Sequence, residues 1–285
     1  IGVLTGGGDC PGLNAVIRAV VRTCDARYGS SVVGFQDGWR GLLENRRVQL
    51  FNDDRNERLL AKGGTMLGTA RTNPEKLRAG IDDIKATLED NGIDVLIPIG
   101  GEGTLTAAHW LTEEGVPVVG VPKTIDNDID CTDVTFGHDT ALQIATEAID
   151  RLHSTAESHQ RVMLVEVMGR HAGWIAAAGG LLEDHGIPVV ILFPEIPFDE
   201  AKFIARVDAL VRKHGYCTVV VSEGCHHPDG RFLAEQGTQD AFGHAQLGGV
   251  APLIAQRIKE GVALPGPLDR SGILDPPVRG DRLAG

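Results

Sequence analysis

The sequence predicts an α/β protein with mostly parallel sheets and helices on both sheet faces. Three observations predict it. Short apolar runs alternate with amphipathic runs along most of the chain. The apolar runs are nearly continuous in Val, Ile and Leu, as strands covered on both faces are. Glycine is abundant, 37 of 285 residues, and clusters where those runs end, as tight strand-to-helix turns require.

In chain order, "IGVLT", "SVVGF", "DVLIPIG", "VPVVGVP", "RVMLVEV", "IPVVILF" and "YCTVVVS" read as buried strands. Helical periodicity falls on 13–27, 75–91, 104–114, 140–159, 200–214 and 250–260, with glycine closing several of these stretches. The chain opens inside a strand, so residues are expected to precede Ile1. A domain boundary is expected near "FGHDTA", giving lobes over 1–137 and 138–262 and an irregular tail over 263–285.

Composition is that of an ordinary globular protein, 42% hydrophobic and 23% charged. A net charge of −12 argues against nucleic acid or an acidic membrane as partner. Cys10, Cys24, Cys131, Cys217 and Cys225 form no CxxC pair, which reads as reduced thiols in a cytoplasm. No apolar run is long enough to span a bilayer.

Ligands of such folds sit beyond the C-terminal ends of strands. Four predicted strand ends carry chemistry. "TGGGDCPGLNAVIR" places glycines, Gly7 and Gly8 among them, ahead of a helix whose N-terminus can hold phosphate or simply close a tight turn. "IGGEGTLTAA" repeats the arrangement: Glu102 is either a metal ligand or an acid serving the helix dipole, and Gly103 lets a phosphate approach. "GVPKTIDNDID" gathers Lys123, Asp126, Asp128 and Asp130, expected to follow a strand over 116–121. Phosphoryl transfer needs a base for the attacking hydroxyl, metal and cations. In an extended segment Asp126 and Asp128 share a side, one as base and one as metal partner; the alternative is an Asx-rich turn. "SHQRVMLVEVMGRHAGW" brackets a strand with Arg161 and Arg170, suited to bidentate phosphate capture or to surface ion pairs. Glu223 in "VVVSEG" either accepts sugar hydroxyls or caps a turn. His159 and His171 read as structural.

In order and spacing, "GGGDCPGLNAVIR", "GGTMLGTAR", "GGEGT", "PKTIDND", "HQRVMLVEVMGRHAG" and "VSEG" resemble the phosphofructokinase family, from Ile1 to about Gly249. The resemblance implies two Rossmann-like three-layer lobes with the active site in the cleft between them. It implies Mg²⁺-dependent transfer of a phosphoryl group to the 1-hydroxyl of fructose 6-phosphate, in cytoplasmic glycolysis. Asp126 is then the proton acceptor, with Lys123 and Arg170 also catalytic. Gly7, Gly8, Arg71, Thr72, Gly101, Glu102, Gly103 and Thr104 match donor-binding positions. Thr124, Ile125, Asp126, Met168, Gly169, Arg170 and Glu223 match sugar-phosphate contacts. Arg161 matches one supplied by a neighbouring subunit, so a homodimer or homotetramer follows. Glu102 and Asp128 match the metal site.

The donor is ATP or pyrophosphate. Gly103 resembles ATP-dependent members, whereas Lys123 and "DAFGHAQLGGVAP" resemble pyrophosphate-dependent ones; the open glycine favours ATP. The family's late sugar-phosphate motif, resembling GHxQR or GYxQR, departs here. "FGHAQLGG" has Leu247 where Arg is expected, and "GPLDRS" offers Arg270 instead. The irregular end keeps a non-catalytic sugar-phosphate-binding protein as an alternative. A lipid or NAD kinase shares a similar glycine loop but not "PKTIDND". Arg18 and Arg22 offer either an effector site or a solvated basic face.

Overall fold

The computed structural model describes residues 1–70, 72–178, 180, 186–239, 245–262 and 273–274. The described residues form two compact units, one over Ile1–Asp139 and one within Thr140–Val278.

The first unit carries strands β1 (Gly2–Thr5), β2 (Val32–Phe35), β3 (Arg47–Leu50), β4 (Leu96–Gly100), β5 (Val121–Thr124) and β6 (Phe136–Gly137), in the order β3-β2-β1-β4-β5-β6. Every pairing is parallel except β2 with β3. Its helices are α1 (Leu13–Tyr28), α2 (Trp39–Leu43), α3 (Asp54–Glu57), α4 (Pro74–Ala79), α5 (Ile81–Asp90) and α6 (Glu102–Glu113). Strand alternation sends Val3, Val32 and Ile99 to one face with Leu13, Ile17 and Val21 of α1. Leu4, Val33 and Leu96 go to the other face, against residues of α2, α4, α5 and α6. Three α/β/α layers result.

The second unit continues from α7 (His138–His159), whose first two residues still belong to the first unit. Ala141, Ala145, Ile149, Leu152 and Ala156 form its buried stripe. Strands β7 (Val162–Val167), β8 (Val189–Leu192) and β9 (Cys217–Ser222) join a two-residue β12 (Ile273–Leu274) in a wholly parallel sheet, β12-β7-β9-β8. Here α8 (Trp174–Ala177), α9 (Glu200–His214) and α10 (Ala251–Gly261) are the remaining helices, and β10 (Glu235–Gln239) and β11 (Ala245–Leu247) form a separate antiparallel pair. Val162, Leu164, Val219 and Val221 pack on Phe203, Val207, Ile254 and Ile258 of α9 and α10.

Three expectations change. The stretch 75–91 is two helices broken at Gly80, which closes α4 and precedes α5. The strand expected over 116–121 runs later: Val118 makes only an isolated bridge to Leu96, and regular pairing occupies Val121–Thr124 because β6 pairs there with Lys123 and Thr124. Thus Lys123 lies within a strand, one residue from its end, instead of following one. The antiparallel β3 was not foreseen: Arg47, Val48 and Gln49 are exposed, so this edge has no apolar run.

Candidate active site

In the first sheet the chain winds outward one way from β1 through β2 to β3 and the other way from β4 through β5 to β6. The switch point lies between β1 and β4, where open α/β sheets bind ligands. Two helices start there, α1 after Gly12 and α6 after Gly101. Neither N-cap supplies a side-chain hydrogen bond, which is also true of α2, α5, α8 and α10, whereas Asp53, Asn73 and Asp199 cap α3, α4 and α9; what sets α1 and α6 apart is their place at the ends of β1 and β4. The first-turn N–H groups of α1 and α6 therefore lack side-chain caps at adjacent strand ends, as anion sites need.

The loop over 6–12 is braced from below. Thr69 Oγ1 donates to Gly7 O at 2.7 Å, and Lys123 Nζ donates to Gly8 O at 2.6 Å. Both carbonyls, which would repel phosphate, thus face protein donors. Thr5 Oγ1 donates to Gly68 O at 2.8 Å and lies 2.9 Å from Thr65 Oγ1. Buried Asn14 donates to Lys62 O and Gly63 O and accepts from Met66 N. These bonds tie "GGTMLGT" to the glycine loop and lead toward Thr72, whose buried Oγ1 has no hydrogen-bond partner among the described residues. Arg71 lies outside the described residues.

Thr104 is buried, and its side chain fills the space that a Cβ on Gly6 or Gly100 would need. It spaces the ends of β1 and β4. Gly101 accepts the Thr104 and Leu105 N–H groups, each at 3.0 Å. A Cβ on Gly8 or Gly103 would meet no atom within 4 Å, so both positions face open space. Glu102 is exposed at the start of α6.

Lys123 is 5% exposed. Burial lowers its pKa, opposed by Cys10, Asp9 and Asp126. Burial also raises the Cys10 thiol to about 11, so at neutral pH Cys10 is uncharged. Cys10 Sγ donates to Phe136 O at 3.4 Å. Lys123 is therefore the link between the glycine loop and the acidic turn.

That turn is not extended. Asn127 has φ 53, and the left-handed residue breaks strand alternation between Asp126 and Asp128. The expected shared side is lost: Asp126 is partly buried with Oδ1 screened from solvent, while Asp128 is exposed. Asp130 accepts from Cys131 N at 2.8 Å, as turn chemistry. Thr124 O accepts from Thr135 Oγ1 at 2.7 Å, and Ile125 O is 2.8 Å from His138 Nδ1. Thr135 N donates to Asn127 Oδ1 at 2.9 Å. Asn127, Thr135 and His138 escaped the sequence reading. The Asn within a run of acids was the only signal, and the other two lie eight or more residues on.

In the second unit, β7 and β9 are neighbours and their C-terminal ends bring Met168, Gly169 and Arg170 beside Glu223. Glu223 N donates to Val167 O at 2.9 Å. Gly169 has φ 131, and a Cβ there would meet Ala172 O at 2.5 Å. Ser222 Oγ bonds to Gly169 O. Burial raises the Glu223 pKa, while Arg170 and the Gly169 N–H oppose the rise. Met168 is 40% exposed. Arg161 precedes β7 at its other end, about 23 Å from Met168 at strand rise, so it does not join this cluster. Arg270 lies outside the described residues. Arg18 and Arg22 both pair with Glu57, at 2.5 and 2.8 Å, so their basic face carries its own carboxylate.

Among the described residues no three His, Cys, Asp or Glu side chains cluster as a metal site. Glu102 and Asp128 are both exposed, and a Mg²⁺ ion needs only one or two carboxylates when phosphate oxygens and water complete its shell.

A doubly wound α/β sheet with two helix starts at its switch point is an arrangement in which open α/β sheets bind ligands, phosphate among them. The phosphofructokinase family model matches residues 1–263. A Mycobacterium leprae protein named ATP-dependent 6-phosphofructokinase is 69% identical over 263 residues, 91% of this chain and 75% of that protein. An Amycolatopsis methanolica protein named pyrophosphate–fructose 6-phosphate 1-phosphotransferase is 55% identical over 260 residues, 91% and 75% of the two chains. The crystal structure of a pyrophosphate-dependent phosphofructokinase from Nitrosospira multiformis superposes with TM-score 0.81 at 32% identity, covering 92% of this chain and 66% of that one. This chain spans about two thirds of that structure's length. It belongs to the phosphofructokinase family, whose chemistry is phosphoryl transfer to a hydroxyl group.

Proposed function

We propose that this protein is a 6-phosphofructokinase that transfers a phosphoryl group from ATP to the 1-hydroxyl of fructose 6-phosphate, giving fructose 1,6-bisphosphate in cytoplasmic glycolysis. The observation that carries the proposal is the pair of uncapped helix starts at the switch point, with the Asp126 turn on the next strand, β5. The first-turn N–H groups of α1 and α6, Gly7, Gly8, Gly101 and Gly103 cradle the donor phosphates, and Thr72 and Arg71, the latter outside the described residues, match donor-binding positions by family resemblance. Thr104 acts by holding the start of α6 in place. Glu102 and Asp128 would hold Mg²⁺, which when bound neutralises phosphate charge. Asp126 accepts the hydroxyl proton, in the manner of a kinase catalytic aspartate, and Thr124 and Ile125 shape its turn. Met168, Gly169, Arg170 and Glu223 hold the sugar phosphate. Arg170 also steadies the transferring group, and Arg270 completes this set. Lys123 acts by fixing the Gly8 carbonyl and compensating Asp126.

Arg161, at the far end of β7 from Met168, serves a neighbouring subunit's sugar-phosphate site, and the working form is a homodimer or homotetramer. One observation favours pyrophosphate as donor: Lys123, together with the name of the Amycolatopsis relative. Against it stands the geometry. Lys123 is buried on Gly8 O and places nothing near Gly103, which stays open for a nucleotide. Initial rates with fructose 6-phosphate and either MgATP or Mg-pyrophosphate test the reading; product from MgATP supports it.

A further inference from the structure

We infer that His138 is a positioning residue for Asp126, acting through the peptide bond that joins Ile125 to Asp126. The inference rests on the functional reading above and adds a residue to it.

That peptide bond is held at both of its polar ends. Its oxygen, Ile125 O, lies 2.8 Å from His138 Nδ1. Its N–H, on Asp126, donates to Thr124 Oγ1 at 3.2 Å. A carbonyl only accepts, so His138 carries its proton on Nδ1 for this bond. Fixing both ends fixes the rotation of the peptide plane, and that rotation sets where the Asp126 side chain starts. Neighbouring carbonyls are held separately: Thr135 Oγ1 takes Thr124 O, and Thr135 N takes Asn127 Oδ1. Without His138 the turn keeps those two bonds and loses the one at Asp126's own peptide.

Burial makes the bond matter. His138 is 7% exposed and Ile125 is partly buried, so removing the imidazole leaves the Ile125 carbonyl without a protein donor in a part-buried place. His138 also opens α7, where its ring reaches back toward the turn after β5. The helix thus supplies a rigid base for the contact. A general base misplaced by about 1 Å can lose on the order of 100-fold in rate while substrate binding is kept.

The test compares kcat and KM for fructose 6-phosphate and MgATP in the parent, His138→Gln, His138→Asn and a double variant with Asp126→Ser. An Asn amide nitrogen occupies the place of Nδ1, whereas a Gln amide lies one bond too far. Expected are a fall in kcat of about 10- to 100-fold for His138→Gln with both KM values within about 2-fold. His138→Asn recovers to within about 3-fold of the parent. In the Asp126→Ser background His138→Gln causes no further loss, because the residue acts through Asp126. A loss of packing alone would make the smaller Asn the worse variant, the reverse of the expected order, and would not vanish in that background. The inference is overturned by His138→Gln with parental kcat, by an Asn variant as impaired as the Gln variant, or by additive losses in the double variant. A parent that forms no fructose 1,6-bisphosphate overturns the functional reading and this one together. An active parent with an unimpaired Gln variant overturns this one alone.

Discussion

Asp126 and Lys123 stand three residues apart and meet opposite surroundings. Lys123 spends its charge inside the protein on Gly8 O, while Asp126 sits at a turn held by Thr124, Thr135 and His138. Replacing Asp126 by Ser is expected to lower kcat by about 1,000-fold, with the KM for fructose 6-phosphate changed by less than about 3-fold, as steady-state kinetics would show. Glu223 gives a pH prediction. Its folded pKa is raised by burial, so between the ordinary carboxylate range and that raised value the native state holds the proton more firmly than the unfolded chain. Stability then falls as pH rises through this window. Glu223→Gln is expected to raise the thermal midpoint at neutral pH and to lose that advantage in acid below the usual carboxylate range, while weakening fructose 6-phosphate. An equal shift at every pH would contradict the assignment. At this scale the charged residues were legible because like charges crowded beside a lysine need a reason. The residues that aim them were not: Thr135 and His138 bond to main-chain carbonyls, and no side-chain pattern announces that.

Elements were legible wherever burial is two-sided. The long apolar strands β1, β4, β7 and β9 and the helix α9 fall where apolar periodicity puts them. The pattern failed where an element is exposed or interrupted by geometry. The edge strand β3 has three exposed residues, and the break between α4 and α5 falls at Gly80, the cap of both helices, inside a stretch whose apolar periodicity runs on. The turn after β5 misled for a local reason, since one left-handed Asn reverses the alternation on which the pairing of Asp126 with Asp128 relied. The start of α6 makes the element-scale prediction. Gly103 faces open space, so Gly103→Asp is expected to leave the thermal midpoint within about 2 °C while raising the KM for MgATP by about 10-fold or more, through a carboxylate set against phosphate. Gly6→Ala is the contrasting case, because its Cβ collides with buried Thr104. It is expected to destabilise the protein by about 1–3 kcal/mol in urea unfolding.

For the whole molecule, the distance between Arg161 and the Met168 end of β7 carries the oligomer proposal. If each site borrows Arg161 from a neighbour, Arg161→Ala and Asp126→Ser subunits, each nearly inactive alone, are expected to regain activity when co-refolded. Mixtures as inactive as their parts would show that each subunit uses its own Arg161. The central claim is narrower: the glycine-lined switch point accepts ATP, and the Asp126 turn activates a sugar hydroxyl. Its most direct test is the initial rate of fructose 1,6-bisphosphate formation from fructose 6-phosphate with MgATP, set beside the same assay with Mg-pyrophosphate. Product is expected with MgATP and is lost in Asp126→Ser; product with pyrophosphate alone, or none with either donor, would contradict the claim.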